Sequence, residues 1–224
     1  MSDLTPPLVS IVDYGMGNLF SVKHACEHLG LKALVTSDKE AILDSDGLIL
    51  PGVGAFGDAI ANLNKLDLIN PISDFIQSGR PFMGICLGMQ LLMSESEEFG
   101  RHKGLDIIPG KVSRFSVENE AGDKVPHVGW NKVNWPVSTK DFIWENSPLA
   151  GIGNGEFMYF VHSYYCKPQD NKLVLSVTNY ASIDYCSSIF WENIFACQFH
   201  PERSSLQGLE VYKNWAYSFR RAKN

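Results

Sequence analysis

The sequence predicts an α/β protein: an open, mostly parallel sheet with helices on both faces, plus antiparallel strands and hairpins in the second half. The first observation is a set of short apolar runs that favour strands, at residues 8–13, 31–35, 47–50 and 80–83. The second is the helical spacing of apolar residues between these runs, because strands that alternate with helices form parallel sheets with crossover helices. The third is a change of pattern in the second half, where strand-like runs alternate with turns.

The helices of the first half follow from apolar spacing and stop signals. Leu19, Val22, Cys26 and Leu29 are three or four residues apart, which places them on one helix face. Gly30 follows at the position where a helix stop is expected. Further helices are predicted at residues 58–68, 71–77 and 89–93.

The second half continues as strands and closes with a helix. The strand-like segments are residues 104–112, 128–135, 157–166, 172–178 and 188–199. An amphipathic helix is predicted over residues 205–220, with Leu206, Leu209, Tyr212 and Trp215 in register. No linker separates these segments, so we expect residues 1–224 to form a single domain, with residues 1–7 as a loose arm.

Charge and cysteine usage limit the classes of function. The chain has 224 residues and a net charge of −6, which argues against general binding of nucleic acids or anionic membranes. Its five cysteines are odd in number and far apart, which favours a reducing compartment over a disulfide framework. Residues 1–7 lack the features of a signal peptide, and no apolar run is long enough to span a bilayer. We therefore expect a soluble, cytoplasmic protein.

The strongest chemical signal is the sequence GICLG at residues 84–88, which places Cys86 between two glycines, after a buried strand and before a helix. This is the G-x-S-x-G nucleophile pattern with cysteine in place of serine. Both glycines are expected, because the central residue is strained and a side chain on either flank would crowd the turn. The helix N-terminus would favour the thiolate. A buried structural cysteine is the alternative, but the flanking pattern favours a nucleophile.

A second signal lies near the end of the chain, where His200 follows a strand and Glu202 comes two residues later. A cysteine nucleophile needs a base, and the base needs an orienting group. We predict that His200 carries protons, that Glu202 holds the ring, and that Pro201 stiffens the spacing. A surface ion pair at a strand end is the alternative interpretation.

A glycine-rich loop at residues 51–57 ends the strand that comes just before the strand of Cys86. Such a loop can turn backbone N–H groups toward an anion or an oxyanion. An ordinary turn is the alternative, but the position of the loop favours a role at the site.

Other candidate motifs indicate no cofactor and no metal. The glycines within residues 15–17 lack the third glycine of a dinucleotide fingerprint, because Phe20 stands in its place. His24 and His28 are one helical turn apart but have no evident further ligand, so a solvated helix face is favoured. Packing roles are expected for His127 and His162.

Five stretches of the chain resemble the class I glutamine amidotransferases, which use a Cys-His-Glu triad. They are PGVG at 51–54, GICLGMQ at 84–90, VPHVGWN at 125–131, FVHSYY at 160–165 and QFHPE at 198–202. The cysteine motif and the His-x-Glu pair are specific to the class. The third and fourth stretches narrow the resemblance to glutaminase subunits of imidazole glycerol phosphate synthases. The resemblance covers the chain from Leu8 to the last helix.

The resemblance implies that Cys86 attacks the side-chain amide of L-glutamine, that His200 protonates the departing ammonia, and that water hydrolyses the thioester. Glu202 would complete the triad. The implied oxyanion donors are backbone N–H groups of Val53, Gly54 and Leu87. The residues implied to contact glutamine are Gly52, Gly54, Gln90, Glu98, Ser163 and Tyr164.

The resemblance also implies a partner, because ammonia released into water becomes ammonium, which is not a nucleophile. In the family the partner is a (β/α)8-barrel cyclase that uses a phosphoribosyl-formimino ribonucleotide, and its ligand controls the oxyanion loop. We therefore expect a heterodimer with such a cyclase. The expected interface residues are Met16, Asn18, Trp130 and Arg203. Members of the family usually carry lysine where Arg203 stands, so the charge is kept but the geometry differs.

Three other functions stay open at this point. The chain departs from the family's usual Tyr-Gly turn at residues 179–188, so the resemblance does not give the geometry of that loop. The departure leaves room for a paralogous glutaminase that supplies ammonia to a sugar amidotransferase in surface-polysaccharide biosynthesis. The same fold could also serve a non-catalytic interaction protein. A cysteine hydrolase acting on peptides or γ-glutamyl chains would work without a partner.

Overall fold

The computed structural model describes residues 6–116, 124–136 and 144–221, with side chains up to residue 217. Most of the predicted N-terminal arm lies outside these ranges. The helices are α1 (Leu19–His28), α2 (Lys39–Asp44), α3 (Phe56–Lys65), α4 (Ile69–Gln77), α5 (Leu87–Leu91) and α6 (Ser205–Arg221). The strands are β1 (Leu8–Val12), β2 (Lys32–Thr36), β3 (Gly47–Gly52), β4 (Phe82–Cys86), β5 (Met93–Ser96), β6 (His102–Lys103), β7 (Ile108–Arg114), β8 (His127–Val133), β9 (Glu156–His162), β10 (Tyr164–Pro168), β11 (Val174–Tyr180), β12 (Ile183–Trp191) and β13 (Ile194–Cys197).

One large sheet organises the chain. β2, β1, β3, β4 and β13 are neighbours in that order and run parallel. Beyond β13 the sheet continues through β12, β10 and β7 with antiparallel pairings, and then through β5 and β6. β11 pairs with β12, and β8 pairs with β9 in a separate two-stranded sheet. The parallel first half and the antiparallel second half are both as predicted.

The sheet separates two apolar cores, because successive side chains of a strand point to opposite faces. Val9 and Ile11 of β1 join one core, to which α1 and α6 contribute. Val12 joins the other core, to which α3 and α4 contribute buried side chains such as Phe56 and Phe75. Helices therefore cover both faces of the sheet, which confirms the predicted architecture.

Four predicted features differ from the structure. The segment predicted over residues 188–199 spans the end of β12 and all of β13, which pair antiparallel. The helix predicted over residues 89–93 ends at Leu91, because Met93 begins β5 and pairs with Ile108 of β7. The strand predicted over residues 157–166 is two strands in different sheets, which separate at Ser163. Leu206 is 75% exposed and lines a groove on the first turn of α6 instead of packing in the core.

The hairpin at residues 179–188 forms its turn without glycine. Ala181 and Ser182 join β11 to β12, and both have positive φ, 50° and 59°. Two-residue hairpin loops of type I′ need this conformation at both positions. The register around the turn pairs Tyr180 with Ile183, so the strands continue without a break.

All five cysteines are free and buried. Among the residues described, no helix combines the length and the apolarity needed to cross a bilayer.

Candidate active site

Cys86 occupies a sharp bend between β4 and α5. Its backbone has φ 53° and ψ −106°, a strained conformation for a residue other than glycine. A Cβ on Gly88 would lie 1.7 Å from the Leu50 carbonyl oxygen, and a Cβ on Gly84 would lie 3.1 Å from the backbone of Gly88. Cys86 also pairs with Gly52 at the end of β3. The bend and the glycine-rich loop therefore meet at one edge of the sheet.

Cys86 is only 5% exposed, and besides His200 its sulfur contacts the side chain of Gln198 and the backbone of Val161. The Gln198 side chain donates from Nε2 to Sγ over 3.5 Å. The thiol in turn donates to the Val161 carbonyl oxygen over 3.8 Å. Gln198 directly follows β13, which lies parallel to β4, so the neighbouring strand brings this amide to the bend.

His200 and Glu202 form a buried pair beside Cys86. Nδ1 of His200 lies 2.7 Å from Oε1 of Glu202, and both side chains are almost fully buried. Burial lowers the pKa of His200, but the charges of Cys86 and Glu202 raise it by more, so the net shift is upward from 6.5, to about 10. Nε2 of His200 has no hydrogen-bond partner of good geometry among the described residues. Because Glu202 occupies Nδ1, Nε2 is the ring atom available for proton exchange.

The glycine-rich loop after β3 is anchored by a buried tyrosine. The Tyr14 hydroxyl donates to the Pro51 carbonyl oxygen over 2.9 Å. Gly54 has a φ of 112°, and Val53 is 42% exposed. Leu87 begins α5, where the first backbone N–H groups have no partner within the helix. Both elements predicted to supply oxyanion donors therefore adjoin the bend.

Among the residues predicted to bind glutamine, Gln90 lies next to the bend. Its Nε2 donates to the Tyr164 carbonyl oxygen and to Oε1 of Gln198, each over 3.0 Å. Ser163 is half-buried at the junction of β9 and β10. The amide of Gln90 therefore links β10, which contains Tyr164, to the side chain of Gln198, which contacts Cys86.

Glu98, also predicted to bind glutamine, contacts the backbone at the start of α3. Its Oε2 accepts a hydrogen bond from the backbone N–H of Phe56, 2.6 Å away, at the start of α3. Burial raises the pKa of Glu98, although this hydrogen bond opposes the shift. α3 begins just after the glycine-rich loop, so the carboxylate stands at the far end of that loop.

Two of the predicted interface residues share an aromatic neighbour. The Trp130 ring, half-exposed on β8, packs edge-on against Tyr159 with ring centroids 6.1 Å apart. The Arg203 guanidinium carbon lies 4.3 Å from the centre of the same Tyr159 ring. Trp130, Tyr159 and Arg203 therefore form one surface patch.

The other two predicted interface residues lie between β1 and α1. Cε of Met16 is only 2.5 Å from where a Cβ of Gly54 would stand, so the Met16 side chain rests on the glycine-rich loop. Asn18 is the N-cap of α1, and its side chain accepts from the backbone N–H of Ser21 over 3.4 Å.

His127 and His162 are buried, and His24 and His28 lie on an exposed helix face, as the sequence predicts. His127 Nδ1 and His162 Nε2 are 3.3 Å apart, and the Tyr185 hydroxyl lies 3.3 Å and 3.2 Å from these two atoms. Burial lowers the pKa of His162 to about 3, so the ring is neutral. His24 and His28 are both exposed on α1.

Two residues of the site, Gln198 and Tyr14, were not predicted from the sequence. Gln198 stands two positions before His200, and alternate residues of an extended segment share a face, so the strand period was an available signal. Tyr14 directly follows a predicted strand, but no sequence pattern indicates that its hydroxyl reaches Pro51.

The chain matches known proteins over almost its whole length. The family described as "Glutamine amidotransferase class-I" matches residues 10–218. The imidazole glycerol phosphate synthase subunit HisH of Moorella thermoacetica is 47% identical over 216 residues, which cover 96% of this chain and 97% of that protein. The subunit of the same name from Syntrophotalea carbinolica is 45% identical over 212 residues, which cover 93% of this chain and 98% of that protein.

A solved structure shares the fold at lower identity. PurLQS from Thermotoga maritima superposes with a TM-score of 0.69 at 20% identity, covering 95% of this chain and 99% of that chain. At such identity the likeness shows the fold alone. The match over residues 10–218 and the two relatives show more: the chain belongs to the class I glutamine amidotransferase family.

Proposed function

We propose that this chain is the glutaminase subunit of an imidazole glycerol phosphate synthase. It hydrolyses L-glutamine to L-glutamate and ammonia, and it passes the ammonia to a separate cyclase subunit in histidine biosynthesis. The observation that carries the proposal is Cys86 in a strained bend beside the buried His200–Glu202 pair. Both relatives described above bear the name of a subunit of this synthase, which favours it over the surface-polysaccharide paralogue.

The chemistry follows from the pairing of a thiol with an imidazole. His200 takes the Cys86 proton on Nε2, and the thiolate attacks the side-chain amide carbon of glutamine. The raised pKa of His200 keeps the ring charged beside the anionic sulfur, so it can protonate the nitrogen as the C–N bond breaks. Ammonia leaves and a γ-glutamyl thioester remains on Cys86. Neutral His200 then deprotonates a water that attacks the thioester, which releases glutamate, while Glu202 orients the ring and stabilises its charged form.

Each tetrahedral intermediate places a negative charge on the former amide oxygen. We assign its donors to the N–H of Leu87, at the start of α5, and to an N–H of Val53 or Gly54. A fixed donor of this kind typically contributes about 3 kcal/mol to transition-state stabilisation. The residues proposed to contact glutamine are Gly52, Gly54, Gln90, Glu98, Ser163 and Tyr164.

A partner that covers the site follows from the fate of ammonia. The proposed partner is a (β/α)8-barrel cyclase that contacts Trp130 and Arg203 on one side and Met16 and Asn18 on the other. The contact between Met16 and Gly54 supports a glutaminase rate that depends on the partner. A partner that moves the Met16 side chain would also move the glycine-rich loop, which carries an oxyanion donor.

We further infer that residues 1–224 form one glutamine amidotransferase domain, since the family match extends over residues 10–218. We also propose a cytoplasmic location. Five free, buried cysteines suit a reducing compartment.

The proposal is tested by the glutaminase rate of the chain alone, with the candidate cyclase, and with the cyclase and its ribonucleotide ligand. We expect the rate to rise with the partner and again with its ligand. Cys86→Ala should lose several orders of magnitude, because triad residues act as a unit. Cys26→Ala removes another buried cysteine, on α1, and should keep its activity.

Two further outcomes separate the alternatives. A rate that is high without any partner would indicate a free-standing cysteine hydrolase instead. Complementation of a histidine auxotroph together with the cyclase would support the synthase subunit, whereas failure of an active glutaminase to complement would favour the sugar-modifying paralogue.

A further inference from the structure

We propose that Gln198 is a positioning residue that stabilises the Cys86 thiolate through its side-chain N–H. The inference rests on the proposed function, because it concerns the nucleophile of that reaction. Gln198 is completely buried, and its Nε2 lies 3.5 Å from Sγ of Cys86. Hydrogen bonds to a charged acceptor are stronger than those to a neutral one, so this contact gains strength when the thiol ionises.

A chain of hydrogen bonds fixes the orientation of the Gln198 amide. The carbonyl oxygen of Tyr164 can only accept, so Gln90 must turn its Nε2 toward it, 3.0 Å away. The second hydrogen of Gln90 Nε2 is donated to Oε1 of Gln198, also over 3.0 Å. With its oxygen engaged, Gln198 must present Nε2 to Cys86. A backbone carbonyl of β10 therefore determines which end of the amide meets the nucleophile.

The bend itself leaves a need for such a donor. α5 has five residues, so it has few aligned peptide dipoles to favour an anion at its start. The Val161 carbonyl oxygen, 3.8 Å from Sγ, directs its negative end at the sulfur and disfavours the thiolate. An N–H donor on Gln198 offsets this carbonyl.

Among the titratable groups that interact with Cys86, His200 can carry a positive charge, and the others named here are neutral near pH 7. His200, held by Glu202, supplies a positive charge when it is protonated. Burial raises the pKa of four described groups that interact electrostatically with Cys86, so all four are neutral near pH 7. They are Tyr14, Cys166, Tyr185 and Cys197.

The experiment measures the rate at which iodoacetamide alkylates Cys86 as a function of pH, in the full chain without glutamine. Gln198→Met removes the donor at nearly constant volume, and we expect the midpoint of the pH profile to rise by about one pH unit, a tenfold loss of thiolate below the midpoint. Gln198→Glu keeps the oxygen that Gln90 needs and places a carboxylate beside the sulfur, so the midpoint should rise further. Gln77→Met, at an exposed position of α4, is the matched control and should leave the profile unchanged.

A second background separates a direct effect from a displaced His200. In a His200→Asn chain, Gln198→Met should raise the midpoint by a similar amount. Loss of the shift in this background would show that Gln198 acts only through His200, which overturns the proposal. A wild-type profile in both Gln198 variants overturns it as well. Failure of the proposed function would look different, because the wild-type chain would then hydrolyse no glutamine with the partner present, whatever its alkylation profile.

Discussion

A methyl group added at each glycine of the Cys86 bend tests how the fold builds that bend. Gly88→Ala would place a Cβ 1.7 Å from the carbonyl oxygen of Leu50 and 2.8 Å from its carbonyl carbon. Carbon atoms in contact normally stand about 3.5–4.0 Å apart. α5 and β3 would therefore have to separate, but β3 is held between β1 and β4 in the sheet. Overpacking costs about 1–3 kcal/mol where neighbours can adjust and more where they cannot, so we expect a loss of at least about 4 kcal/mol.

Gly84→Ala is the matched comparison within the same bend. Its Cβ would meet the backbone of Gly88 at 3.1 Å, which a shift of a few tenths of an ångström would relieve, so we expect a cost of about 1–3 kcal/mol. Gly153→Ala is the control at a remote turn. Its Cβ would lie 3.5 Å from the Glu156 side chain, an ordinary contact, and the stability should change by less than about 0.5 kcal/mol.

Urea unfolding, read by fluorescence and circular dichroism, gives the free energy of unfolding of each variant. We expect wild type and Gly153→Ala to be the most stable, Gly84→Ala to be less stable, and Gly88→Ala to be the least stable. The glutaminase rate with the partner should fall in the same order. A Gly88→Ala protein as stable and as active as Gly84→Ala would refute the inference that the close approach of β3 and α5 fixes the bend.

Three further predictions concern the surroundings of the site. Because burial lowers the pKa of His162 from 6.5 to about 3, the unfolded chain binds a proton there first as the pH falls, and stability declines from about pH 6.5 downward. His162→Phe should be less stable than wild type near pH 7.5, with the gap in urea unfolding narrowing by about 3 kcal/mol near pH 4.5; a constant gap would contradict this. Tyr14→Phe leaves the buried Pro51 carbonyl without its donor and should cost about 1–2 kcal/mol in the same assay, and kcat should fall while KM holds; unchanged stability and kcat would show that the hydroxyl does not anchor the loop. Arg203→Ala should weaken partner binding about tenfold in calorimetry, whereas Arg101→Ala, which removes an exposed cationic side chain that is not among the predicted interface residues, should not; equal effects would argue against the proposed interface.

Much of the fold could be predicted, because the buried parallel strands are short apolar runs with glycine-containing turns between them. The exception around Ser163 has a physical reason. Residues 157–166 form one uninterrupted strand-like pattern, and only the pairing partners show that β9 belongs with β8 while β10 belongs with β7 and β12. Pairing over such distances leaves no local signal in a single sequence.

The site could be predicted where its chemistry is local in the sequence. The glycines around Cys86 and the two-residue spacing of His200 and Glu202 are patterns of neighbouring residues. The amide of Gln198 is different, because its orientation depends on Gln90 and on a carbonyl of another strand. The contact of Glu98 with Phe56 likewise joins residues 42 positions apart. The sequence near either residue contains no pattern that predicts it.

The most direct measurement is the mass of the peptide that contains Cys86, after acid quenching of the chain during turnover with glutamine, the cyclase and its ligand. We predict an added glutamyl group on Cys86 in the wild-type chain and none in Cys86→Ala, which should also be inactive. Rapid glutamine hydrolysis by Cys86→Ala, with no adduct on the wild-type sulfur, would contradict a thioester at Cys86 as the source of the ammonia.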